Sequence, residues 1–178
     1  QIAGFPQRLK KLALYMRGEP LLHKMLPEMI AYAKTKRVSE LIQVTTNGIL
    51  LSPEMNLKLI QSGLDELVVS VQALSSSKYE ELTEVSVDCD RFRSNIGHFY
   101  RTKENCTLFI KILDVGLRRD EEHTFHELYD DICDRAFIEH VLPQYKHVAY
   151  GNVPSEFKVD VRGNGLANVD VCSQPFLS

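Results

Sequence analysis

Leu12-Ala13-Leu14-Tyr15-Met16-Arg17-Gly18-Glu19-Pro20-Leu21-Leu22-His23 is an apolar run that breaks into a polar, turn-forming group. Glu40-Leu41-Ile42-Gln43-Val44-Thr45-Thr46-Asn47-Gly48 repeats the pattern. Between them Leu22, Met25, Leu26, Met29, Ile30 and Ala33 recur at helical spacing and predict an amphipathic helix that lays one stripe on the sheet. Strand, helix, strand is a parallel β-α-β unit. In folds built from such units the carboxyl ends of the strands share one rim, and that rim is where ligands bind.

The alternation continues along the chain. Buried-type runs at Leu12 to Met16, Glu40 to Thr45, Glu66 to Val71, Thr107 to Leu113 and Ala136 to Val141 predict strands covered on both faces. A second helix is punctuated at both ends: Ser52 to cap, Pro53 in the first helical position, and Gly63 for a left-handed stop. A third helical region spans Ser77 to Tyr100, with Phe92, Ile96, Phe99 and Tyr100 in phase and a break around Val85 to Asp90. A fourth runs from Asp120 to Cys133 on an apolar face of Phe125, Leu128, Tyr129 and Ile132. From Pro143 onward Pro, Gly and Asn replace either period. The expected division is therefore an α/β domain over 1–142 and an irregular linker over 143–178.

Composition narrows the function. With 44% hydrophobic and 25% charged residues in 178, one sizeable core is expected. Lys plus Arg (21) and Asp plus Glu (24) give a net charge of -3 with no basic run, which disfavours nucleic acid as a partner. No apolar segment reaches the roughly 20 residues that span a bilayer, and no signal peptide opens the sequence, so a cytoplasmic protein is expected. Cys89, Cys106, Cys133 and Cys172 lie 17, 27 and 39 positions apart, a spacing of neither a zinc site nor a compact disulfide framework.

The residues just past each strand define the candidate site: Gly18-Glu19-Pro20, Thr46-Asn47-Gly48, Ser70 with Gln72, Lys111 with Asp114, and Glu139 with His140. Glycine lets a ligand approach backbone amides, and Thr46 and Ser70 can donate to a carboxylate or accept from an amine. The set suits a small zwitterionic or polyhydroxylated molecule. Glu139 and His140 offer acid/base chemistry at the same mouth. His123 and His126, beside Glu122 and Glu127, flank the apolar face of the fourth helix and read as a solvated surface rather than a metal site. Gly163 and Gly165 lack the third glycine of a dinucleotide loop.

Gly18-Glu19-Pro20-Leu21-Leu22-His23, Thr45-Thr46-Asn47-Gly48-Ile49-Leu50-Leu51, Ser62-Gly63-Leu64-Asp65 and Val69-Ser70-Val71 occur in the order and spacing found in radical SAM enzymes, and the chain resembles that family over nearly its whole length. Cys172-Ser173-Gln174-Pro175-Phe176 is similar to the opening of the SPASM extension, in which a Cys shortly before Pro helps hold an auxiliary cluster. The resemblance implies a partial (β/α)6 TIM-like barrel of parallel strands that binds S-adenosylmethionine across the strand ends. A 4Fe-4S cluster would cleave that cofactor to a 5′-deoxyadenosyl radical for hydrogen abstraction. It implies cofactor contacts from Gly18, Glu19 and Pro20 as a backbone ledge and from Thr46, Asn47, Ser70 and Gln72, the last departing from the acidic residue often found there. Peptide or protein modification is the implied reaction class, and Cys172 is the implied ligand of an auxiliary cluster.

The family's Cys-x-x-x-Cys-x-x-Cys loop is nowhere in the sequence. Together with the opening at Gln1 and the apolar ending, this leads to the expectation of a core cut at both ends. Its first strand and cluster loop would be missing, it would be inactive as it stands, and an uncovered strand would make self-association plausible. The alternative is a cluster-free α/β-barrel domain for binding or scaffolding.

Overall fold

The computed structural model describes residues 8–15, 18–114, 117 and 119–139. Five strands, β1 (Leu9–Ala13), β2 (Ser39–Thr46), β3 (Glu66–Val71), β4 (Thr107–Leu113) and β5 (Arg135–Glu139), form one sheet in sequence order. Every neighbouring pair is parallel. The crossovers carry α1 (Leu26–Thr35), α2 (Pro53–Gln61), α3 (Ser76–Thr83), α4 (Cys89–Thr102) and α5 (Arg119–Tyr129). Among the described residues no helix is long and apolar enough to cross a membrane.

The local chemistry explains the bounds. Ser52 Oγ accepts the Met55 amide at 3.2 Å with Pro53 next in line, and Gly63 closes the α2 turn at φ 81°. Asp88 caps α4 by accepting the amides of Asp90 and Arg91, and the left-handed Glu84 ends α3, so the expected break falls between two helices. β3 and β4 have the bounds their apolar runs predict. β1 begins and ends earlier than expected: Leu9 pairs with Ser39 and Ala13 with Gln43, leaving Leu14 and Tyr15 beyond the strand. His140 and Val141, the 143–178 linker and Cys172 lie outside the described residues.

Side chains alternate across the sheet. Ile42, Val44, Leu67, Val69, Val71, Leu108, Ile110 and Ile112 are buried on one face in a single core with Ile30, Leu59, Ile96, Phe99 and Phe125 from the helices. The other face mixes apolar residues, among them Leu41, Val68, Phe109 and Phe137, with polar and charged ones. There Glu66 accepts from Lys11 at 3.1 Å and from Gln43, and Lys111 pairs with Glu139 at 2.5 Å.

The first helix departs from its expected stripe. Leu26, Ile30 and Ala33 are buried, whereas Leu22, Met25 and Met29 are exposed together with Tyr32. Pro20–Leu22 forms a separate 3₁₀ turn, so Leu22 is not in phase with α1 at all. Met25, Met29 and Tyr32 occupy one flank of the helix, a quarter-turn from the buried line. Lys34, on the opposite flank, reaches Asp65 beside β3. Periodicity thus located an apolar arc wider than the part the sheet covers.

The amino ends of the strands are closed by a repeated device. Asp65, just before β3, accepts the Ile42 amide of β2 at 2.8 Å and the Lys34 ammonium at 2.7 Å. Asp134, just before β5, accepts the Leu108 amide of β4 at 2.6 Å and Lys103 at 3.0 Å. Each lysine stands at the end of a helix, and each lies 31 residues ahead of its aspartate.

Candidate functional site

At the opposite ends of the strands the turns after β1 and β2 meet over an open cavity of about 460 Å³, lined by Tyr15, Gly18, Glu19, Thr45, Thr46, Asn47 and Ser70. Gly18 has φ 82°, and a Cβ there would meet nothing within 4 Å. Its glycine is needed for the backbone angle and not for space. Gly48 has φ 77°, and a Cβ would lie 2.8 Å from Val69 Cγ1 and 3.0 Å from Phe92 Cε2. That turn is pressed against the core.

A hydrogen-bond network joins the two turns. Glu19 Oε1 accepts from the Leu21 amide at 3.0 Å and from Thr46 Oγ1 at 2.5 Å, and Oε2 accepts from the Asn47 amide at 2.8 Å. Thr46 Oγ1 in turn accepts the Gly48 amide at 3.0 Å, and Asn47 Oδ1 accepts the Ile49 amide at 3.0 Å. These bonds satisfy amides that the end of β2 would otherwise leave without partners.

The predicted residues therefore divide. Gly18, Glu19, Asn47 and Ser70 come together at the cavity. Pro20 lies just behind, opening the 3₁₀ turn that fixes the direction of the Gly18-Glu19 backbone. Thr46 also touches the cavity, but it pairs in register with the core residue Val69, is 2% exposed, and has its hydroxyl engaged by Glu19 and Gly48. Alternation places Thr45, not Thr46, on the same face as Ser70. Gln72 points away. Its amide nitrogen returns to the Ser70 carbonyl at 3.1 Å, and its backbone N–H donates at 3.0 Å to Tyr79, whose buried phenol is pushed up to about 12. Thr45 and Tyr15 are the cavity residues that sequence reasoning missed, and strand alternation from Gln43 was the signal for Thr45. Farther along the same face of the sheet Lys111, in register with Ser70, is held by Glu139. His123 and His126 pair with Glu127 and Asp130 on an exposed helix face, as expected of a solvated surface.

Among the described residues no three His, Cys, Asp or Glu side chains are grouped to hold a metal ion. Cys89 opens α4, Cys106 precedes β4 and Cys133 precedes β5; all three are buried and free. Burial pushes the Cys106 thiol up to about 12 and the Cys133 thiol to about 11. Such thiols are poor metal ligands.

A sheet of parallel strands in sequential order, with a polar cavity at the carboxyl rim, defines an α/β domain of the barrel type. No protein-family model matches the sequence. The chain is 32% identical over 114 residues to the GTP 3′,8-cyclase of Chlorobaculum tepidum, a match over 62% of this chain and 33% of that protein. It is 32% identical over 139 residues to molybdenum cofactor biosynthesis protein 1 of Drosophila melanogaster (75% of this chain, 21% of the relative). It is 34% identical over 108 residues to the Fe-coproporphyrin III synthase of Methanosarcina barkeri (59% and 23%). A structure of TYW1 with a lysine-pyruvate adduct bound superposes with a TM-score of 0.58 at 21% identity, over 78% of this chain and 43% of the other, and shares the fold. The three sequence relatives are radical SAM enzymes, a family that uses S-adenosylmethionine and a 4Fe-4S cluster. The chain spans about a third or less of the length of the curated relatives it matches.

Proposed function

We propose that this chain is part of a radical SAM enzyme and that its carboxyl rim binds S-adenosylmethionine. The observation that carries the reading is the convergence of the Gly18-Glu19-Pro20 turn, the Thr46-Asn47-Gly48 turn and Ser70 on one open polar cavity. These are the motifs whose order resembles the family. A zwitterionic amino-acid end fits that donor and acceptor set: backbone around Gly18 and Glu19 for the ammonium, and the hydroxyls of Thr45 and Ser70 for a carboxylate or ribose. When bound beside its iron-sulfur cluster, the cofactor supplies a 5′-deoxyadenosyl radical for hydrogen abstraction from substrate.

Cys89, Cys106 and Cys133 do not fit that cluster, so its ligands belong to other residues of the protein. Cys172, outside the described residues, is assigned to an auxiliary cluster by its likeness to the SPASM opening alone. For the substrate, the relatives favour a small molecule over a peptide: they are named for a nucleotide cyclase and a porphyrin synthase. The test is calorimetry of S-adenosylmethionine against the anaerobically reconstituted complete protein, with Ser70→Ala as the variant. Binding that weakens in the variant is expected. Absence of both iron and binding in the complete wild-type protein would replace this reading with the cluster-free scaffold.

A further inference from the structure

Among the described residues Glu19 is the one carboxylate that lines the cavity, and the bonding around it separates contact from support. Oε1 already takes two donors and Oε2 a third, all from the two turns. Thr46 has given its only proton to Glu19 and accepts from Gly48, and its side chain is packed on the core side of the sheet. Glu19 is left with a single unused acceptor site, on Oε2, and Thr46 with one lone pair and no donor, so most of the bonding capacity of both groups is spent between the two turns. What they do is tie the loop after β1 to the loop after β2 across 27 residues of sequence. Phe92 and Val69 brace Gly48 from below, so the second loop cannot sink and the first is hung from it.

We infer that Glu19 and Thr46 are positioning residues. They form a carboxylate–hydroxyl latch that fixes the Gly18–Pro20 backbone relative to Thr45 and Ser70, which make the side-chain contacts to the ligand. The ligand identity rests on the reading above. The latch itself does not.

The experiment uses the reconstituted complete protein, with S-adenosylhomocysteine as an unreactive probe and amide hydrogen exchange of the unliganded protein as a second readout. Thr46→Val and Glu19→Gln should weaken probe binding at least about tenfold, the scale of one charge-assisted hydrogen bond, and speed exchange at Leu21, Asn47 and Gly48. Thr46→Ser, which keeps the hydroxyl, should restore both. Thr45→Val should weaken binding and leave exchange at those amides unchanged. Equal damage from Thr46→Ser and Thr46→Val would overturn the latch, and so would faster exchange with unaltered affinity, or weaker binding in Glu19→Gln with exchange unmoved. If the wild-type protein bound no probe, the cofactor reading would fall while the exchange pattern still judged the latch.

Discussion

The two rims of the sheet use the same chemistry to opposite ends. At the amino rim Asp65 and Asp134 each accept a strand amide and a lysine, and the carboxylate seals the gap between neighbouring strands. At the carboxyl rim Glu19 also accepts amides, yet its partners are two loops, and the space beside them stays open. A carboxylate bridging strand to helix end closes a fold. One bridging loop to loop holds a mouth at fixed width, and the hydroxyls of Thr45 and Ser70 are left facing it.

The sharpest test of this difference is glycine replacement at the carboxyl rim. Gly48→Ala should destabilise the protein by about 2–5 kcal/mol, the sum of left-handed strain and overpacking against Val69 and Phe92. Gly18→Ala, with the same strain and open space beside it, should cost only about 1–2 kcal/mol. Urea melts of the two variants should differ accordingly, and equal losses would mean that the β2–α2 turn is not braced by the core.

At the amino rim, Asp65→Asn and Asp134→Asn should each cost about 1–3 kcal/mol by weakening the bond to a strand amide and removing an ion pair. The clamps share no partner, so the double variant should be additive within about 0.5 kcal/mol by the same melts. Binding at the other rim should not change. A loss of affinity there would show that the two rims are coupled.

A further contrast concerns pH. Cys106 and Cys133 lie at the amino rim, and burial raises their thiols to about 12 and about 11, whereas in the unfolded chain a thiol ionises near ~8.5. Between these values the unfolded chain binds fewer protons, so stability is complete below about pH 8.5 and falls as pH rises toward the folded-state values. Thermal melts from pH 8 to 10.5, repeated with Cys106→Ala, should show a shallower decline in the variant.

Much of this comparison was legible in the sequence, and the exceptions have physical causes. β3, β4 and α2 announced themselves because apolar runs, a Ser-Pro start and a glycine stop all act locally. Thr45 and Thr46 are chemically alike, and only the register of β2 on β3 tells which one faces Ser70. The exposed flank of α1 escaped because helical periodicity reports apolarity, while coverage depends on which neighbours stand beside the helix. Glu19 was read for its backbone, since the partners of its carboxylate lie 27 and 28 residues away.

The paired clamps bear on how the chain reaches this arrangement. Each encloses one β-α-β unit: the lysine precedes the first strand, the aspartate precedes the second, and the span of 31 residues is the same in both. Because all strand pairs join sequence neighbours, every loop that must close is short. A chain emerging from the ribosome could therefore secure β2 with β3 before β4 exists, and then repeat the step, which favours fast assembly by successive units over a search for distant partners.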